Sequence, residues 1–179
     1  MLNKVFKRSR QLFRALFSKM EPSDYRFVEE HLNVTEKRLF YNMEPSIQKH
    51  CVNVAYSILI SMSDSEESNS PFLIKAALLH DIGKSRGSIR LFDRVCFVMS
   101  IKLSPRFTLW MAQPRKNSWL PRIGQAFYVH CYHGEIGASL AEKAGLSVEM
   151  IYLIKNHHDR NLALGSGDLA ALLNADELN

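Results

Sequence analysis

Five histidines, His50, His80, His133, His157 and His158, fall in or at the edge of stretches whose apolar spacing predicts helix, and two aspartates, Asp81 and Asp176, accompany them. A lone histidine on an apolar face is ordinarily a hydrogen-bonded core residue. Five of them with two carboxylates are harder to satisfy separately, because an imidazole or a carboxylate is costly to bury alone. A divalent cation satisfies several at once, and nitrogen and oxygen ligands without thiolate suit Fe, Mn, Co, Ni or Zn. The adjacent pair His80-Asp81 adds a constraint, since neighbours on a helix diverge by about 100° and cannot face one ion. At the C-terminal turn of a helix the geometry relaxes, and the second carboxylate oxygen is left to bridge to another ion. The doublet His157-His158 poses the same requirement.

The elements that must position these residues are read from apolar periodicity and from helix start and stop signals. Pro45 opens a helix through Ile47, Cys51, Val54, Ile58 and Met62, which carries His50. The polar stretch 63–70 is a loop, and Ser70-Pro71 begins a helix whose apolar body Phe72 to Leu79 places His80 and Asp81 in its last turn and stops at Gly83. Phe127 to Ala144 reads as one helix or two helical pieces, ending at Gly145 and carrying His133. Ser147 caps a helix through Ile151 and Ile154 to His157-His158, residues 161–167 are loop, and Asp168 caps a last helix with Leu169, Leu172, Leu173 and Asp176 on one face. Pro105, Pro114 and Pro121 interrupt residues 84–122, which predicts one or two short helices among loops. No strand pattern and no internal repeat is present, so the expected fold is all-α, with a basic arm over residues 1–24 and one domain over 25–179.

The motifs resemble those of the HD-domain metal-dependent phosphohydrolases, specifically the HDIG branch. The resemblance is carried by His50 in QKHCVNVA, by AALLHDIGK, by His133 in HGEIGASLAEKAG, by the pair in IKNHHD and by LLNADEL with Asp176, in the family's order over residues 45–178. It implies an HD-type helical bundle in which His50, His80, Asp81 and Asp176 hold a first metal. It implies further that Asp81 bridges to a second metal held by His133, His157 and His158, as in the binuclear members. Asp81 and Lys84 match the family's catalytic positions, with Lys84 facing substrate so that its ammonium holds a phosphate oxygen. The implied reaction is hydrolysis of a phosphate ester or anhydride of a nucleotide or dinucleotide by metal-activated water. The GYP signature of one binuclear branch is absent, since DRNLALGSGD follows the double histidine. A nucleotide-binding sensor without turnover, or a peripheral membrane-associated interaction module, is the alternative use of the same fold.

Composition bounds the rest. The chain has 179 residues, 46% of them hydrophobic, and a net charge of +5, enough for one domain with a sizeable core. The basicity is local. Lys4, Lys7, Arg8, Arg10, Arg14 and Lys19 lie among apolar residues at helical spacing in residues 1–20 with no acid, which fits either an arm packed on the domain or an interfacial helix on anionic lipid. Residues 84–122 hold nine basic side chains against Asp93 alone. The aromatics Phe92, Phe97, Phe107, Trp110, Trp119, Phe127 and Tyr128 in or next to that stretch fit core packing, stacking on a nucleobase, or a membrane surface. The cysteines Cys51, Cys96 and Cys131 are odd in number and widely spaced, which argues for a reducing compartment and a cytosolic location, peripheral to a membrane if the arm binds lipid. No nucleic-acid motif is present.

Arg86, Arg90 and Arg94 recur every four residues, so in a helix they form a cationic row able to grip further phosphates; the plainer alternative is a solvated face. If the row binds substrate, Arg90→Ala raises the Michaelis constant for polyphosphate substrates. An unchanged constant reduces the row to that solvated face.

Overall fold

A computed structural model describes residues 19–63, 71–85, 96–97, 99–101, 103–113 and 121–179. Residues 1–18 of the expected arm, the loop after residue 63, and Arg86, Arg90 and Arg94 lie outside the described residues, whereas residues 22–24 of the arm belong to the first helix. The fold is all-α, as the absence of period-two alternation predicts. Its helices are α1 (Pro22–His31), α2 (Val34–Tyr41), α3 (Pro45–Ser63), α4 (Pro71–Leu79), α5 (Pro105–Met111), α6 (Pro121–Lys143), α7 (Val148–Asn156), α8 (Arg160–Ala163) and α9 (Gly167–Leu178).

Helix α4 is the centre of the bundle. Apart from Lys75 its body is apolar all round, with Leu73, Ile74 and Ala76 to Leu79 all buried, and it packs against α1, α2, α3, α7 and α9. A helix without a polar face has to be surrounded. The apolar positions of α3 named above share a face, and Ile47, Cys51, Val54 and Ile58 are buried in the same core cluster. Helices α1 and α2 close the bundle, and each starts with a capping box whose acid does a second job. In α1 the backbone N–H of Glu21 donates to Asp24 Oδ2 at 2.7 Å, and Lys49 of α3 donates to the same oxygen at 2.7 Å. In α2 the Asn33 N–H donates to Glu36 Oε2 at 2.7 Å, and Lys75 of α4 reaches both Glu36 oxygens at 3.0 Å. Asp24 and Glu36 are both buried, so each capping carboxylate ties a peripheral helix to one that leads to the histidine cluster.

Four local expectations change. His80 and Asp81 lie in the turn just beyond α4 rather than within its last helical turn. Residues 161–163, expected as loop, belong to α8, because the Asp159 carboxylate accepts from the N–H groups of Asn161 at 2.9 Å and Leu162 at 3.1 Å. Ser166, not Asp168, caps α9 by accepting from Leu169 N–H at 3.4 Å, which leaves Asp168 in the first turn. Helix α6 begins at Pro121, ahead of the expected Phe127, and is bent at Tyr132 (φ −119°, ψ 17°), so the two-piece reading of this helix is the observed one. It ends in a Schellman motif, with Gly145 at φ 73° and Leu146 N–H donating to Ala141 O at 3.0 Å.

Asp24→Ala removes an α1 capping partner and leaves the Lys49 ammonium without its carboxylate. Removing one member of a largely buried, hydrogen-bonded pair is expected to lower the unfolding free energy by about 3 kcal/mol, read by urea denaturation. A change within 0.5 kcal/mol, roughly the range of ordinary surface substitutions, would show that the pair holds nothing.

Candidate metal centre

The seven residues singled out from the sequence come from five places in the chain and meet at one point. α3 brings His50, the turn after α4 brings His80 and Asp81, α6 brings His133, the turn after α7 brings His157 and His158, and α9 brings Asp176. Two groups of potential ligand atoms form, each with its atoms within 4.8 Å of one another. One is His50, His80 and Asp81, the other His133, His157 and His158.

The two carboxylates lie between these groups. Asp81 Oδ2 is 3.8 Å from His80 Nε2, whereas its Oδ1 is 3.4 Å from His133 Nε2 and 3.8 Å from His157 Nε2. Asp176 divides in the same sense, with Oδ1 at 2.8 Å from His50 Nε2 and 3.6 Å from His80 Nε2, and Oδ2 at 3.6 Å from His158 Nδ1. The centre is largely closed to solvent, since His80, Asp81, His133 and His157 are buried, while His158 is exposed at its edge.

The backbone fixes which ring nitrogens face inward. His80 Nδ1 donates to Ala77 O at 2.8 Å, His133 Nδ1 to His130 O at 2.8 Å, and His157 Nδ1 to Ile154 O at 2.7 Å. A carbonyl can only accept, so each Nδ1 carries a hydrogen, and in a ring kept neutral, as burial keeps His133 and His157, Nε2 presents a lone pair. His133 Nε2 then lies 3.1 Å from His157 Nε2 with no hydrogen on either neutral ring to join them, and 3.0 Å from His158 Nε2. Converging lone pairs repel unless a cation lies among them. Among the described residues, His80 Nε2 is also buried without a hydrogen-bond partner, an arrangement that ordinarily signals an ion or water. The donor set fits a divalent metal, with imidazoles held in one tautomer by a second hydrogen bond as metal-ligating histidines usually are.

Lys84 supplies positive charge here. Its ammonium donates to Asp81 Oδ2 at 2.8 Å and lies equally close to Oδ1. Burial pushes the Asp81 carboxyl up, but Lys84 and the surrounding imidazoles outweigh it and hold the group well below the usual carboxylate range. Burial likewise opposes the charge on Asp176, and the hydrogen bond from His50, with the His80 ring close by, brings its pKa down. Burial pushes His133 well below the ordinary imidazole value, with the Lys84 cation adding to it, and lowers His157 to about 3, with His80 and His158 adding to it. Both rings are therefore neutral at pH 7, the form that binds metal. Cys51 is buried and its thiol is pushed up by burial, so it packs beside the site as a neutral group.

Close backbone approach sets the spacing. A Cβ on Gly83 would stand 2.0 Å from His133 O, and one on Gly134 would stand 2.5 Å from Lys155 O. Gly83 reads in the sequence as a helix stop, yet its φ is not positive; it is needed because the turn carrying Asp81 is pressed against the backbone of His133. Gly137 lets α6 pass close to α7, since a Cβ on it would stand 2.9 Å from Ile154 Cγ2. A groove of about 500 Å³ opens beside His133 and His158, lined also by Lys155, Asn156, Arg160 and Asn161. Lys155 and Asn156 fall inside the stretch IKNHHD, of which only the histidines stand out by type, and Arg160 and Asn161 carry no motif. Glu135 also lines the groove, whereas Asp159 is accounted for as the cap of α8. Compared with models of known protein families, with curated proteins and with solved structures, the chain matches none.

Gly83→Ala is expected to abolish tight metal binding while leaving helix content intact, because the added methyl must separate Asp81 from His133. Gly167→Ala, where nothing lies within 4 Å of an added Cβ, retains the metal. Metal content after dialysis, read by elemental analysis alongside circular dichroism, checks both; full metal retention by Gly83→Ala would contradict the account.

Proposed function

We propose that the chain is a metal-dependent phosphohydrolase of the HD type, hydrolysing a phosphate ester or anhydride of a nucleotide-like substrate. One observation carries the proposal. Asp81 turns one oxygen toward His80 and the other toward His133 and His157, the arrangement expected of a carboxylate shared by two ions. Support comes also from the ordered motifs over residues 45–178, with AALLHDIGK at their centre.

In this reading His50, His80, Asp81 and Asp176 hold one ion, and Asp81, His133, His157 and His158 hold the other. Fe, Mn, Co, Ni and Zn all suit these nitrogen and oxygen donors. Bound there, divalent ions supply Lewis acidity toward phosphoryl oxygens and lower the pKa of water. The protein does the rest. The Nδ1 bonds to backbone carbonyls hold three of the rings in one orientation, so little reorganisation accompanies the reaction. Burial of His80, Asp81, His133 and His157 keeps bulk water away and strengthens each electrostatic contact. Lys84 is anchored on Asp81 and partly exposed, so its flexible stem can swing the ammonium from that carboxylate to a phosphate oxygen. The groove beside His133 and His158 takes the remainder of the substrate, and its volume of about 500 Å³ suits a nucleotide.

The test is the full-length chain loaded with Mn²⁺ or Fe²⁺ and offered nucleotides, dinucleoside polyphosphates and cyclic dinucleotides. Turnover of at least one class is expected, lost with chelator and restored by Mn²⁺. Asp81→Asn is expected to lower kcat by roughly 100-fold or more. Failure of the metal-replete protein on the whole panel would overturn the assignment.

A further inference from the structure

The segment around α5 has its polarity inverted. Its inward positions are small: Thr108 and Ala112 are buried, the Thr108 hydroxyl donates to Ser100 Oγ at 2.9 Å, and α5 packs on α6. Its outward positions are large and apolar. Met99, Ile101, Leu103, Phe107, Leu109 and Trp110 are between 44% and 79% exposed, which gathers six large hydrophobic side chains at the surface within twelve residues. Single exposed hydrophobics need no explanation, whereas a concentration of them marks a binding surface.

Charge identifies what it binds. From Arg94 to Gly134 the sequence carries Arg94, Lys102, Arg106, Arg115, Lys116 and Arg122 and no acid. We propose that this segment docks on an anionic lipid bilayer, its exposed apolar side chains entering the headgroup–acyl boundary while the net positive charge of the same stretch of sequence draws it to lipid phosphates. Apolar side chains combined with Lys and Arg are the composition of an interfacial element. Four of the six apolar residues are aliphatic and offer no ring to a nucleobase, which sets the surface apart from a single-strand nucleic-acid platform. No helix among the described residues is long and apolar enough to cross a membrane, so the contact is peripheral. These residues are distinct in sequence from the basic stretch 1–20, and the proposal stands whether or not the metal centre hydrolyses phosphate.

Trp110 and Trp119 are the two tryptophans, so in the full chain Trp119→Phe leaves Trp110 as the sole reporter. With phosphatidylglycerol-containing vesicles, its emission is expected to shift to the blue and to be quenched by lipids brominated on the acyl chain. Pure phosphatidylcholine is expected to give neither effect. Adding Leu103→Asp and Leu109→Asp, both at exposed positions, should weaken partitioning by about tenfold or more with an unchanged circular dichroism spectrum. Three results would overturn the proposal: no binding to anionic vesicles, binding that leaves Trp110 unquenched and so runs through another surface, or a lipid-independent blue shift with self-association, which would make a second copy the occupant.

Discussion

The structure depends on how a carboxylate with almost no access to water is kept charged. Asp81 is 2% exposed and sits between two sets of imidazoles and one ammonium. An isolated charge there would be strongly unfavourable, and the Lys84 ammonium 2.8 Å away does most to keep Asp81 ionised. The neutral His133 and His157 rings turn Nε2 lone pairs toward one another and toward Asp81, contacts that a cation relieves and a carboxylate does not. The cluster therefore fits a cation better than it fits the protein alone.

Such a centre contributes little to stability by itself, so the rest of the bundle has to hold it. The apolar surround of α4 fixes where the His80-Asp81 turn emerges, and the contacts at Gly83, Gly134 and Gly137 fix how near α6 and α7 come to it. The buried capping carboxylates Asp24 and Glu36 tie α1 and α2 to lysines of α3 and α4, one of them, Lys49, adjacent to His50 in sequence. Helix packing, capping and site geometry are in this sense one construction.

Much of this is legible in the sequence, for identifiable reasons. His50, His80, Asp81, His133, His157, His158 and Asp176 stand out because residues of their type are rare on apolar helical stretches, and the structure brings all seven together. Helix starts at Pro45, Pro71 and Ser147 follow from local chemistry and are observed. What escapes is decided by contacts between segments distant in sequence. Gly83 looks like a helix terminator until the His133 backbone beside it is seen. Ser166 and Asp168 are equally good caps by type, and only the observed start of α9 distinguishes them. Leu103 and Leu109 look like core in one dimension, because a period cannot say which face of a short helix meets the bundle. Arg86 and Arg90 lie outside the described residues, so their cationic row rests on spacing alone.

The central claim is that Asp81 is shared between two cation sites. Anomalous diffraction from crystals of the metal-replete chain tests it most directly. The account predicts two anomalous peaks, one beside His50 and His80 and one beside His133, His157 and His158, with Asp81 in contact with both. A single peak remote from Asp81, or no bound metal at all, would contradict it.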